Sequence, residues 1–249
     1  MNTDTLSSAA QLRLLDLQAA DTALAQLAHR RRTRPELATL ASRDERAEAL
    51  HNDAVDAETR LSDIATEQRR LENEVDAVRA RATRDEQRLQ GGGLPAKELE
   101  GLQHELTTLA RRQSSLEDEL LEVMEQRDEA ETSLGTLNSE RGALESERAE
   151  LTATRDAAFA EIDRSAAQRS EERSAIADEL PDDLLALYER AREHGGGVGA
   201  AMLRHRRCEG CHIELSGSEL AAVRAADSDT VVRCDNCRRI LVRTAESGL

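Results

Sequence analysis

The chain has 249 residues, of which 34% are charged and only 1% are aromatic, and its formal net charge is −16 at pH 7. Aromatic side chains supply much of the buried area of a compact core, so this composition argues against one ordinary globular domain. The negative charge lies in the first 194 residues, because residues 195–249 contain eight arginines against seven acidic residues. Such a region repels nucleic acid and anionic membranes, and the simplest interpretation of its charges is a solvated helical surface.

Two helices, about 5–32 and 34–89, form the first predicted arm, with a kink near 33–36. Thr33 and Glu36 have the spacing of a capping box at the start of the second helix. The apolar residues of this second helix recur at alternating steps of three and four residues, which is the spacing of a coiled coil. The apolar residues of the first helix are offset from that pattern by two positions.

A glycine-rich turn at 90–95 separates this arm from a second arm of nearly equal length. Three glycines followed by Pro95 end a helix. In the second arm, heptad positions run from Leu99 to Ser165, and fourteen of these twenty positions are apolar. Equal arms joined by a short link predict a mostly α protein built on a long antiparallel coiled-coil hairpin.

The predicted register of the hairpin centres the turn on Gly92. It pairs Ile64 with Leu120 and Val75 with Leu109, so that each a position faces a d position, as an antiparallel seam requires. We expect the axes of the paired helices to lie about 8–10 Å apart at these layers.

The sequence predicts three segments in total. The hairpin covers 1–180, a short helix and glycine linker cover 181–197, and a small β zinc ribbon covers 198–249. The three glycines of the linker fit a hinge and fit simple helix termination equally well. The hairpin is expected to share almost no core with the ribbon.

Two Cys-x-x-Cys pairs carry the chemistry of the ribbon. Each pair forms a knuckle that directs two thiolates at one tetrahedral ion, so the sequence predicts a single Zn²⁺ held by Cys208, Cys211, Cys234 and Cys237. Four thiolates leave no open coordination position, so the zinc is expected to be structural. Oxidation of the cysteine pairs with release of zinc is the alternative role.

Short strands and a helical turn are predicted around the knuckles. The strands are 199–203, 213–215, 231–233 and 240–243, and the helical turn is 218–226. Gly210 and Asn236 precede the second cysteine of each knuckle, and these residue types tolerate a left-handed backbone.

Arginines cluster beside both knuckles. The tentative binding residues for a protein partner or a nucleic acid are Arg204, Arg206, Arg207, Arg238 and Arg239. Arginine patches clamp phosphates, but the ribbon has no aromatic residue on which a base could stack. Solubility and contact with acidic helices explain the same arginines equally well.

The chain resembles a bacterial family of coiled-coil hairpin proteins that end in a four-cysteine zinc ribbon, long catalogued as a domain of unknown function. The resemblance is carried by residues 14–18, by Lys97-Glu98-Leu99 after the turn, and by the stretch from Cys208 to Leu241. Near-exclusive use of arginine over lysine indicates an actinobacterial member. The resemblance implies binding rather than catalysis.

The expected function is therefore that of a non-catalytic zinc-binding adaptor that binds protein partners through its coiled coil and ribbon. The alternative is a regulatory protein that binds RNA through the ribbon arginines. No stretch approaches the ~18 apolar residues of a membrane span, and the first residues lack a secretion signal. We expect a cytoplasmic protein with no membrane partner, and with no small-molecule substrate because a two-helix hairpin has no cavity.

Overall fold

A computed structural model describes residues 7–249. Five helices and four strands follow one another along the chain. The helices are α1 (Ser8–Arg32), α2 (Pro35–Gln90), α3 (Ala96–Asp178), α4 (Asp182–His194) and α5 (Gly217–Ala225). The strands are β1 (Ala200–Arg204), β2 (Arg207–Cys208), β3 (Val232–Arg233) and β4 (Ile240–Val242). This architecture, a long antiparallel coiled-coil hairpin with a small C-terminal β region, confirms the predicted fold class.

The chain divides into two compact units. One unit, here called the hairpin unit, is Ala38–Thr152. The other, here called the ribbon unit, combines the chain up to Leu37 with Ala153–Leu249. The ribbon unit therefore contains α1 and part of α3 and not only the segment 198–249 that the sequence marked as a ribbon.

The seam of the hairpin follows the predicted heptads. Leu71, Val75 and Leu116 are buried and form its largest apolar cluster. Of the twenty predicted seam positions on α3, only Arg141 is exposed. The heptad pattern therefore identified the buried face of this helix almost residue by residue.

The predicted register of the two arms is wrong by one heptad. Val75 packs in one cluster with Leu71 and Leu116, and Leu120 packs against that cluster. The prediction placed Val75 opposite Leu109 instead. A slip of seven residues leaves every a position facing a d position, so the apolar pattern is satisfied equally in both registers.

Ion pairs beside the seam distinguish the two registers. Arg79 pairs with Glu117 at 2.7 Å and Arg112 with Glu74 at 3.1 Å. A shift of seven residues back to the predicted register would place Ala110 beside Arg79 and Glu67 beside Arg112. Each half-exposed pair contributes only about 0.2–1 kcal/mol, so several pairs together favour the observed register.

The junction between α1 and α2 differs from the predicted capping box. The Thr33 N–H and hydroxyl both donate to the His29 carbonyl oxygen, at 3.0 and 2.9 Å, so Thr33 caps the end of α1. The Glu36 carboxylate instead accepts hydrogen bonds from Arg34. Pro35 is the first residue of α2, where its missing N–H costs nothing. The predicted start of the first helix, at residue 5, lies outside the described residues.

The ribbon is a four-stranded sheet with the order β2-β1-β4-β3. β1 runs parallel to β4, and the other two pairings are antiparallel. The strand predicted at 213–215 is wrong, because this segment forms only an isolated bridge between Glu214 and Arg207. The predicted helical turn is confirmed as α5, which Ser216 and Glu219 cap with a reciprocal capping box.

Helix α1 shares a hydrophobic core with the ribbon sheet, contrary to the expectation that almost none would be shared. Leu14 and Leu17 are fully buried in one cluster with Tyr188 of α4 and with Ile240 and Val242 of β4. The sheet therefore explains why the apolar residues of α1 are out of phase with the heptads. Leu14 and Leu17 pack against strand β4 rather than against a second helix of the seam.

A buried polar network joins the same elements. The Tyr188 hydroxyl donates to Asp21 Oδ2 at 2.6 Å, and Arg173 Nε donates to Asp21 Oδ1 at 2.7 Å. Gln18 Oε1 accepts from the Gly199 N–H at 2.7 Å. The Asp21 side chain is only 5% exposed, and both of its oxygens are satisfied. Burial, and then the hydrogen bond to Asp21, raise the pKa of Tyr188 well above its usual value, so this phenol stays a neutral donor.

Close packing of Tyr188 against the start of the ribbon also explains why residue 199 is a glycine. A Cβ at Gly199 would lie 2.6 Å from the Tyr188 carbonyl oxygen and 2.8 Å from its ring. Only glycine fits this contact, so Gly199 sets the distance between α4 and the start of the sheet.

Candidate metal centre

The four cysteine sulfurs meet at one point of the ribbon unit. All four Sγ atoms lie within 4.8 Å of one another. Cys208 Sγ lies 3.8 Å from Cys237 Sγ, and Cys211 Sγ lies 3.8 Å from Cys234 Sγ. Four sulfurs at ~2.3 Å from a central Zn²⁺ are separated by ~3.8 Å along each edge of the tetrahedron. The four cysteines are therefore placed to hold one structural zinc ion, as predicted, and none of them forms a disulfide.

The two knuckles have the same backbone geometry. The His212 N–H donates to the Cys208 carbonyl and the Arg238 N–H donates to the Cys234 carbonyl, each at 2.7 Å. His212 and Arg238 have φ angles of 58° and 62°. The left-handed residue is thus the one that follows the second cysteine of each knuckle.

The predicted roles of Gly210 and Asn236 as left-handed residues are therefore wrong. Gly210 is needed for another reason, because a Cβ there would lie 2.9 Å from Ala201 Cβ and 2.7 Å from Arg239 Cδ. The first knuckle packs directly on β1, and a larger residue would push it away from the sheet.

The environment of the thiols differs from one cysteine to the next. Burial raises the pKa of Cys208 to about 12, although the N–H groups of Cys211 and Gly210 partly oppose this. Burial also raises the pKa of Cys234. Burial disfavours the Cys237 thiolate as well, but hydrogen bonds from the Arg239 N–H and from neighbouring thiols outweigh it and lower the pKa. A bound cation offsets the cost of burying the thiolates, so metal binding contributes directly to folding.

Arg239, predicted to bind a partner, forms hydrogen bonds within the ribbon unit. Its three guanidinium nitrogens donate to the carbonyl oxygens of Val198, Gly210 and Gly195, at 3.2, 2.7 and 2.6 Å. These bonds fix the glycine linker to the first knuckle. Three of the five N–H donors of Arg239 are used in this way, so fewer remain for a phosphate or a carboxylate.

The other predicted arginines divide into two kinds. Arg204 forms an ion pair with Glu246 at 2.8 Å, and Arg206 Nε donates to the Gly248 carbonyl at 3.4 Å. Arg207 and Arg238 are exposed, and neither forms an ion pair within residues 7–249. Of the five, these two have guanidinium groups without a hydrogen-bond or ion-pair partner among the described residues, and Arg206 has only the one hydrogen bond from Nε.

Arg243, which follows β4, is another ribbon arginine that forms hydrogen bonds within the protein. It caps the segment after α5 by donating to five carbonyl oxygens, those of Val223, Ala226, Asp227, Ser228 and Thr230. Its position directly after an apolar strand was the available signal, since such a residue lies beside the sheet rather than on a free edge.

The fold and the metal centre together define a coiled-coil hairpin protein with a four-cysteine zinc ribbon. Family models agree, since the CT398-like coiled coil hairpin domain matches residues 17–196 and the C4-type zinc ribbon domain matches residues 207–241. The chain belongs to the CT398-like coiled-coil hairpin family, which confirms the resemblance drawn from its motifs. Within the described residues, no helix is both long and apolar enough to cross a membrane.

Relatives with similar sequences come from mycobacteria. An uncharacterized protein of Mycobacterium tuberculosis is 42% identical over 94% of this chain and 96% of its own length. An uncharacterized protein of Mycobacterium leprae is 35% identical over 86% of this chain and 91% of its own. These relatives are consistent with the predicted actinobacterial origin.

Solved structures show the same fold. A protein of Mycobacterium smegmatis is 36% identical, with a TM-score of 0.85 over 95% of this chain and 98% of the other. CT398 from Chlamydia trachomatis is 19% identical, with a TM-score of 0.72 over 94% of this chain and 98% of the other. At 19% identity, the second likeness concerns the fold alone.

Proposed function

We propose that this protein is a non-catalytic, cytoplasmic zinc-binding adaptor that binds protein partners through its hairpin and its ribbon. The observation that carries this proposal is the convergence of four cysteine sulfurs within 4.8 Å. A tetrahedral zinc with four thiolate ligands has no open position for a substrate or an activated water. Its role is then to hold a small surface in shape.

The hairpin unit offers a surface that its own seam does not use. Leu121 and Met124 lie about one turn apart on the outer side of α3, and they are 58% and 43% exposed. Large apolar side chains that cluster on the outside of a helix are typical contact residues for protein partners. They are the first residues to test on the hairpin.

The concavities of the described residues also favour binding of partners over binding of small molecules. One of the larger, lined by Thr22, Gln26 and Gly197 among others, has a volume of about 520 Å³ and is open to solvent. Small-molecule sites usually enclose most of their ligand. An open concavity supports contact with a macromolecular surface more readily than turnover of a substrate.

Affinity capture from the native cell tests the adaptor function. We expect the full-length protein to retain specific protein partners after RNase treatment, and the Leu121→Ser, Met124→Ser double variant to lose those that bind the hairpin. The matched control is Glu122→Ser with Glu125→Ser, which changes exposed neighbours on the same helix. Equal capture by both variants would remove this face from the mechanism, and turnover of a substrate that one point mutation abolishes would overturn the non-catalytic proposal.

RNA binding through the ribbon is the second candidate function. It is supported by the exposed Arg207 and Arg238, but Arg239 and Arg243 donate to carbonyl groups and Arg204 is paired with Glu246. Contacts within the protein therefore occupy three of the ribbon arginines, which reduces the number of free cations that could follow a phosphate backbone. Partners that disappear on RNase treatment, together with a steep salt dependence of RNA binding, would favour this candidate.

A further inference from the structure

A basic concavity adjoins the zinc centre in the ribbon unit. It has a volume of about 320 Å³ and is lined by Arg190, Ala191, His194, Arg233, Cys237 and Arg238. Two of its basic residues come from the last turns of α4 and two from the second half of the ribbon. These side chains come from two separate parts of the sequence, and they lie together because α4 packs against the sheet.

The cations of this basic concavity have no anionic partners of their own. None of its three arginines forms an ion pair within residues 7–249, whereas most arginines of the hairpin lie beside a carboxylate. Arg190 Nε donates only to the Ala186 carbonyl of its own helix, and His194 Nδ1 donates to the Arg190 carbonyl at 2.7 Å. In a chain with a net charge of −16, an unpaired cluster of this kind is unusual.

Hydrogen bonds to backbone carbonyl groups hold the two walls of the basic concavity in place. Arg239 donates to the Gly195 carbonyl at the end of α4 and to the Gly210 carbonyl of the first knuckle, and so ties the helix to the ribbon. The Arg238 backbone is fixed by its 2.7 Å hydrogen bond to the Cys234 carbonyl. The basic side chains thus project from a preformed frame, which lowers the entropy lost on binding.

We propose that this basic concavity binds a carboxylate-rich segment of a protein partner. The inference rests on the proposed adaptor function and names the chemistry of the surface that one partner presents. Arginine pairs favourably with carboxylates through two parallel hydrogen bonds. The volume suits one or two carboxylate groups, and the ribbon has no aromatic side chain on which the bases of an RNA strand could stack.

The zinc centre is the main competing explanation for the cations. Four thiolates around one Zn²⁺ have a formal charge of −2, and nearby arginines would offset it. If that were their only role, removal of Arg190 and Arg238 would weaken zinc retention and leave the binding of acidic peptides unchanged. The experiment therefore measures both quantities on the same protein.

The test uses the zinc-loaded full-length chain and a fluorescent oligoglutamate peptide. The variant is Arg190→Gln with Arg238→Gln, and its charge-matched control is Arg207→Gln with Arg224→Gln, two exposed arginines outside the basic concavity. We expect the variant to bind the peptide roughly tenfold or more weakly, because each charge-assisted hydrogen bond is worth about a power of ten in affinity. The control should change affinity less than about threefold, as expected for exposed charges, and both variants should retain stoichiometric zinc.

Three results would overturn the proposal. The first is an equal loss of peptide binding in the variant and the control, which would indicate general attraction to a basic surface. The second is a loss of zinc from the variant with peptide binding intact. The third is tighter binding of a single-stranded RNA of matched charge than of the peptide, with an affinity that depends more strongly on Arg190 and Arg238. If partner capture survives in a variant that no longer binds the peptide, the adaptor function stands and only this site is wrong.

Discussion

The hairpin unit and the ribbon unit are specified in different ways. The seam of the hairpin repeats the same kind of apolar a/d layer many times. A single layer therefore does little to specify which residues of the other arm it packs against. The ribbon unit depends on single contacts that have no equivalent elsewhere, such as the Asp21–Tyr188 hydrogen bond and the four cysteines. Repetition gives the hairpin a fold that tolerates local change, whereas the ribbon unit should fail when one contact is lost.

Loss of one zinc ligand should give the largest effect and the sharpest contrast between the units. In Cys234→Ser we expect the ribbon to unfold, because a structural zinc site supplies on the order of 10 kcal/mol of folding free energy. Residues 38–152 should stay helical, since no ligand lies among them. Zinc analysis together with circular dichroism at 222 nm measures both outcomes.

The control for this substitution is His212→Ala, at an exposed residue that follows a ligand without being one. It should retain stoichiometric zinc. A Cys234→Ser protein that keeps a protease-resistant ribbon, or wild-type protein that contains no zinc when purified under reducing conditions, would contradict the metal assignment.

The next largest effect should come from the buried polar network. Asp21→Ala leaves the Tyr188 hydroxyl and the largely buried Arg173 guanidinium without their partner, so we expect a loss of about 3–5 kcal/mol from the ribbon unit. Asp16→Ala removes an exposed ion pair with Arg13 and should cost less than about 1 kcal/mol. Chemical denaturation followed by hydrogen exchange at α1 and α4 distinguishes the two, and equal destabilisation would show that the network is dispensable.

Two glycine substitutions compare steric limits in the two units. Gly199→Ala would place a Cβ 2.6 Å from the Tyr188 carbonyl oxygen and should destabilise the ribbon unit by about 1–3 kcal/mol. Gly101→Ala, on α3, meets no atom within 4 Å and should stabilise the hairpin by about 0.5–1 kcal/mol through helix propensity. Opposite shifts of the two thermal transitions are expected. A stabilised Gly199→Ala protein would show that α4 and the sheet are not in close contact.

The smallest effect should identify the register of the hairpin. A double-mutant cycle on Arg79 and Glu117 should give a coupling of about 0.2–1 kcal/mol, because the two side chains form an ion pair at 2.7 Å. The same cycle on Glu67 and Arg112 should give no coupling, since those residues face each other only in the register predicted from the apolar pattern. Coupling in the second pair and none in the first would restore that register.

The parts of the structure that the sequence predicted are those encoded by local spacing. Heptads identified the seam of α3, and two Cys-x-x-Cys pairs identified the metal ligands. The register could not be predicted because a shift of seven residues leaves the apolar pattern unchanged. The capping prediction for Thr33 failed because Thr33 lies between two helices. Its hydroxyl can cap either the start of α2, as predicted, or the end of α1, as observed.

Contacts between distant parts of the chain were missed for a different reason. The phase offset of Leu17 was visible in the sequence, but its partners Ile240 and Val242 lie more than two hundred residues away. In the sequence, nothing distinguishes Arg239 from its exposed neighbour Arg238. Only the structure shows that Arg239 donates to three carbonyl groups. Residue type and spacing do not distinguish an arginine that binds a partner from one that holds a loop.

The shared core of α1 and β4 has a consequence for the order of events during synthesis. Leu14 and Leu17 are synthesised more than two hundred residues before Ile240 and Val242, which cover them. At roughly 5–20 residues per second, the apolar face of α1 stays uncovered for about 10–45 s while the whole hairpin is translated and folds. This face is therefore exposed to chaperones, and the ribbon unit completes its fold only after β4 has been synthesised.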